Sequence, residues 1–120
     1  MTTMEGADRA RALLGVRGYG DEVTEGEADF PAAALGANGV LAYAWRTSSV
    51  RAAVYAFDDQ DGARAAEDSV NADRPSGREV ATTVNGALLM VATAADDDLA
   101  GQQLLGELRS NFAGRERDRE

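Results

Sequence analysis

From Gly39 onward the hydrophobic positions recur first at the spacing of a strand and then at that of a helix, and each change of period marks an element. Residues 40–46 alternate, with Leu41, Tyr43 and Trp45 on one side and Val40, Ala42 and Ala44 on the other. Thr47-Ser48-Ser49 is a polar turn. Residues 50–57, rich in β-branched and aromatic side chains, form a second strand. Asp58 or Asp59 then caps a helix over residues 60–72, whose inner face is Ala63, Ala66 and Val70. That face is small, so the helix lies close on the sheet. Arg74-Pro75-Ser76-Gly77 breaks the chain, and residues 79–84 form a strand with Val80, Thr82 and Val84 on one side. Asn85-Gly86 predicts a type I′ hairpin turn, with residues 87–94 as the return strand. Asp96-Asp97-Asp98 starts a last helix, in which Leu104, Leu105, Leu108 and Phe112 recur at helical spacing.

Before Gly39 the pattern is weaker. Thr2 and Glu5 have capping-box spacing, and Ala7, Ala10 and Leu14 follow at helical intervals, which predicts a helix over residues 4–14. Residues 19–38 read as an irregular arm with a short strand near residues 21–24. The chain thus divides into a helix and arm (1–38), a folded domain (39–114) and a charged tail (115–120). Within the domain the order is hairpin, acidic cap, helix, then the same again. This predicts an α+β two-layer sandwich: a four-stranded antiparallel sheet with two helices on one face, ββαββα, of ferredoxin-like kind.

The strands carry a further signal. Val50, Ala52 and Val54 are backed by Ala53, Tyr55 and Phe57, and Leu88, Met90 and Ala92 by Leu89 and Val91, so both central strands are apolar on both sides. Two helices on one face leave the other face uncovered, and an apolar surface beyond a few hundred Å² seldom stays bare. Three coverings are consistent with the sequence. They are the N-terminal helix and the arm with Phe30 and Pro31, a second copy packed sheet to sheet, or a different protein or apolar ligand. The interface candidates are Leu41, Tyr43, Trp45, Tyr55 and Phe57, since Trp and Tyr anchor interfaces well.

Composition narrows the chemistry. The 120 residues contain no histidine, cysteine or lysine. Ser–His–Asp and Cys–His hydrolysis, Schiff-base chemistry, and zinc or haem sites built on His or Cys are therefore excluded by inventory. A net charge of −9 argues against a phosphate-backbone partner. No apolar run reaches the roughly 20 residues that cross a bilayer, and the start lacks the pattern of a secretory signal. The expectation is a cytoplasmic protein, with the mature part of an exported or lipid-anchored protein kept open. All twelve basic residues are arginine, which fits either a GC-rich genome or a surface adapted to high salt.

Three motifs resemble ligand sites and have simpler explanations. Asp58-Asp59-Gln60-Asp61-Gly62 is similar to the middle of a calcium loop, but Phe57 stands at its first ligand position and Asp68 at its twelfth. Asp96-Asp97-Asp98 opens a helix, where capping accounts for it. Gly15-x-x-Gly18-x-Gly20 follows a predicted helix and lacks the Lys-Ser/Thr of a phosphate loop. No metal or cofactor is expected. Arg46 and Arg51, flanking the first hairpin turn, read as surface arginines on an edge.

Residues 50–112, a strand–helix–hairpin–helix run with Leu108-Arg109-Ser110-Asn111 late in the last helix, resemble the small dimerising subunit of the KEOPS tRNA-modification complex. That resemblance implies a dimerising accessory subunit and assigns no residue a role. The expected function is a non-catalytic protein-interaction module, a homodimer or accessory subunit using an apolar sheet face. The alternatives are a carrier or sensor of a small apolar ligand and, last, an enzyme working by carboxylates alone.

Overall fold

The computed structural model describes residues 23–25, 30, 32–45, 48–73 and 76–113. The predicted helix at residues 4–14, the glycine motif at 15–20, Arg46 and the tail at 115–120 lie outside the described residues. The elements run β1 (Val23–Glu25), α1 (Ala32–Leu35), β2 (Gly39–Trp45), β3 (Arg51–Ala56), α2 (Gln60–Ala72), β4 (Arg78–Asn85), β5 (Leu88–Ala95) and α3 (Leu99–Ala113). The four predicted strands form one antiparallel sheet, which the short β1 extends to the order β1-β2-β3-β5-β4. Strands β3 and β4 are parallel, joined by the α2 crossover, with β5 inserted between them as an antiparallel neighbour of both.

The two long helices lie on opposite faces, not on one. Register sets Ala53 opposite Val91 and Tyr55 opposite Leu89, and these residues cluster with Phe57 and with Ala63, Ala66 and Val70 of α2. The intervening residues, Ala52, Val54, Leu88, Met90, Ala92 and Ala94, cluster with Leu105, Leu108 and Phe112 of α3. Successive side chains of a strand point to opposite faces, so the two clusters are two cores with the sheet between them. The double-sided apolar character of β3 and β5 thus follows from burial on both sides, as in sheets covered above and below. Sequence periodicity identifies the inner stripe of each helix but does not say which face of the sheet the helix takes.

The arm contributes to the α2 side. Phe30, Ala32, Leu35 and Ala37 pack against the cluster around Tyr55, whose hydroxyl donates to the Phe30 carbonyl at 2.6 Å. Of the expected intramolecular covering, Phe30 packs on the face that α2 occupies, while the predicted helix at residues 4–14 and Pro31 lie outside the described residues. Among the described residues the large apolar side chains left exposed are Val40 and Leu99.

The second hairpin turns one residue later than Asn85-Gly86 predicts. Asn85 pairs with Leu88, so the loop is Gly86-Ala87, and Gly86 alone has a positive φ, +61°. Glycine at the first loop position with an ordinary residue at the second is the type II′ pattern, which this sequence accommodates without forcing alanine or asparagine to positive φ.

At the opposite end of the sheet a polar latch joins the β2–β3 turn to α3. The Asp98 carboxylate caps α3 by accepting the Gly101 N–H at 2.9 Å, and its other oxygen accepts the Ser49 N–H at 3.0 Å and hydroxyl at 2.7 Å. Ser49 Oγ in turn accepts the Ala95 N–H at 2.8 Å, and Arg78 donates to the Ser49 carbonyl at 2.6 Å and to Thr93 Oγ1 at 3.0 Å. The Ser49 hydroxyl bond, then the Ser49 and Gly101 N–H groups, and the charge of Arg78 hold the Asp98 carboxyl below its ordinary value of 3.8. A depressed folded-state value means the contribution is fully present above 3.8 and is lost as pH falls through the folded value. Ser49→Ala is therefore expected to lower stability at neutral pH and to flatten its fall below pH 3.8. Urea denaturation of both forms at neutral and acidic pH checks this, and parallel acid limbs would contradict it.

Gly101 sits where this latch leaves no room. A Cβ there would lie 2.5 Å from Asp98 Oδ2, 2.8 Å from its Cγ and 3.2 Å from Ala94 Cβ. Gly101→Ala would gain about 1 kcal/mol of helix propensity, but the carboxylate it displaces is fixed by three hydrogen bonds. The expected net result is a destabilisation of about 1–3 kcal/mol. Gly106, with nothing within 4 Å of a Cβ, serves as the control: Gly106→Ala stabilises. Melting temperatures of the two variants check the contrast.

Candidate binding groove

The five candidate interface residues are placed on both faces. Leu41, Tyr43 and Trp45 belong to the α3-side cluster, and Tyr55 and Phe57 to the α2-side cluster. Tyr43 is 7% exposed, Trp45 4%, Tyr55 0% and Phe57 5%, and Leu41 is partly buried. These four aromatic side chains are buried in the two core clusters.

The acidic motifs are likewise occupied locally. Asp59 is the N-cap of α2, its Oδ1 accepting the Gly62 N–H at 2.8 Å, and Asp58 accepts the Asn38 side-chain amide at 2.7 Å. Asp98 caps α3 as described. One aspartate of each motif, Asp59 and Asp98, is thus a helix cap.

The feature that sequence reasoning did not anticipate is a groove of about 810 Å³ along the outer edge of β4. Its floor is Thr82, Thr83 and Val84. One wall is Arg64, Glu67 and Asp68 of α2, and the other is Gly106, Arg109 and Ser110 of α3. The walls exist because the helices sit on opposite faces and both reach the edge strand. Thr82 Oγ1 donates to Glu67 Oε2 at 2.9 Å, which fixes α2 over the middle of the strand. The Asn85 side-chain amide donates to the Phe112 carbonyl at 2.8 Å, which fixes the end of α3 beside the end of the strand. Gly106 has open space around its Cα, so the α3 wall is low.

The floor of the groove is a row of backbone groups. Asn85 and Leu88 close a two-residue hairpin, and Asp96 N–H donates to the Gly77 carbonyl at the far end. Alternation between these ends turns the N–H and C=O of Ala81 and Thr83 toward β5 and those of Val80, Thr82 and Val84 toward the groove. The Thr83 hydroxyl donates to the Thr82 carbonyl at 2.8 Å, which leaves that oxygen a second lone pair and the Thr82 N–H as a donor. The groove can thus accept an extended chain through main-chain hydrogen bonds, flanked by side chains of both charges.

No family model, curated protein or solved structure matches the chain.

Proposed function

We propose that this chain is a non-catalytic protein-interaction module that works through the edge of its sheet and not through a face. The observation that carries the reading is the β4 groove, which combines a strand edge left open among the described residues with walls from two helices. Adding a strand to such an edge is a recurrent mode of recognition, with main-chain bonds supplying affinity and the walls supplying selectivity. An apolar-ligand carrier is less well supported, since Phe30, Ala32, Leu35 and Ala37 fill the space between arm and sheet. A dimerising accessory subunit similar to that of KEOPS stays compatible, with the edge in place of the sheet face. The test is a photoreactive phenylalanine analogue at Gly106, in the groove, and at exposed Asp97, outside it, in cells producing the chain. Protein adducts from position 106 and none from position 97 are expected. Equal labelling at both positions, or none at either, would contradict an interaction site in the groove.

A further inference from the structure

We infer that the occupant of the groove is the β4 strand of a second copy, so that two sheets join edge to edge about a two-fold axis through Thr82. This rests on the interaction-module reading and names its partner. The two edges of the sheet differ. Among the described residues β1 at one end has three, whereas β4 at the other has eight, in unbroken register with β5, without proline and with its charged residues, Arg78 and Glu79, confined to one end. Proteins blunt edges with short strands, prolines, lysines or bulges, and a long edge without them is a template for pairing.

The β4 sequence is complementary to itself. Antiparallel pairing about Thr82 sets Val80 opposite Val84, Ala81 opposite Thr83, Thr82 opposite Thr82 and Glu79 opposite Asn85. Valine meets valine, threonine meets threonine and no like charges stand directly opposite, all favourable for a cross-strand pair. The residues that meet as hydrogen-bonded pairs, Val80, Thr82 and Val84, are those whose backbone groups face the groove. A pairing that keeps each face continuous with its counterpart requires opposed residues to point the same way, and an axis on Thr82 meets that condition.

Charge points to the same partner. Two chains of net charge −9 repel, yet the groove walls are balanced, with Arg64 and Arg109 against Glu67 and Asp68. Because Thr82 holds Glu67, the two-fold axis passes beside that residue, and along the helix Arg64 precedes it by three residues while Asp68 follows it by one, both lining the groove. The axis carries Asp68 of the second copy to the side on which Arg64 stands. Arg64 of each copy thus meets Asp68 of the other, while Glu67 stays bonded to its own strand.

A charge exchange with sedimentation velocity tests this. The full chain is expected to sediment at twice its 12.6 kDa mass. Arg64→Asp and Asp68→Arg, both at exposed positions, should each leave the circular dichroism spectrum of the folded chain unchanged and weaken self-association about tenfold or more. Mixed in equal amounts, the two variants should restore the dimer, because each then presents the charge the other lacks. A wild-type chain that stays monomeric overturns the inference. So does a dimer indifferent to both substitutions, or a mixture that stays monomeric when each variant alone does. If the chain is monomeric and the probe at position 106 captures a different protein, self-pairing fails and the interaction reading stands. If it is monomeric and captures nothing, both fail.

Discussion

Phe112→Ala is expected to destabilise the protein by about 3–5 kcal/mol, the range for truncating a buried aromatic side chain. Phe112 is fully buried in the cluster that α3 builds with Leu88, Met90 and Ala92, so truncation loses both its transfer energy and the packing around the void. A domain of this size has a total stability of roughly 6–18 kcal/mol, and the loss is a large share of it. The residue also lies in the last turn of α3, where its carbonyl holds the Asn85 amide. Fraying of that turn would loosen the wall of the groove. Chemical denaturation measures the change, and a loss below about 1 kcal/mol, as for a surface position, would mean that α3 does not cover this face.

The matching prediction on the other face concerns Tyr55. It too is fully buried, and Tyr55→Ala should cost about 3–5 kcal/mol. Here the loss can be divided. Tyr55→Phe keeps the ring and removes only the hydroxyl that donates to the Phe30 carbonyl at 2.6 Å, an expected cost of about 1 kcal/mol. The remainder belongs to the ring, packed among Ala53, Leu89 and the alanines of α2. A Tyr55→Phe variant as unstable as Tyr55→Ala would place the energy in the tether to the arm and not in the core. With the sheet between them, the Phe112 and Tyr55 losses should add, since residues without shared partners couple weakly.

The strands and long helices were legible because their periods are clean. Residues 60–72 are read as a helix and found as one, with Ala63, Ala66 and Val70 buried as the pattern requires. The final helix likewise buries Leu105, Leu108 and Phe112. The turn was less legible: Asn85-Gly86 and Gly86-Ala87 both place a glycine where positive φ is needed, and the pairing of Asn85 with Leu88 decides between them. The placement of the helices was not read correctly, although β3 and β5 carried the signal for it. A strand apolar on both sides describes a layer packed on both sides, and a helix for each face satisfies it without a partner. Tyr43, Trp45, Tyr55 and Phe57 are buried across the two faces and Leu41 is partly buried. Placing both helices on one face also hid the groove. Arg64, Thr82 and Arg109 lie far apart in sequence, and helices on one face would not have walled the β4 edge on both sides.

The absence of cysteine allows that arrangement to be measured cleanly by spin labels at two introduced cysteines. Ala65→Cys on α2 and Gln103→Cys on α3 are exposed and lie away from the buried stripe of each helix. With the sheet between the helices, the label separation in a magnetically diluted sample should be about 30 Å or more, since two helix widths and both label arms intervene. A separation of roughly 10–20 Å, as for helices packed side by side with axes 8–10 Å apart, would put both helices on one face and remove the walls on which the groove depends.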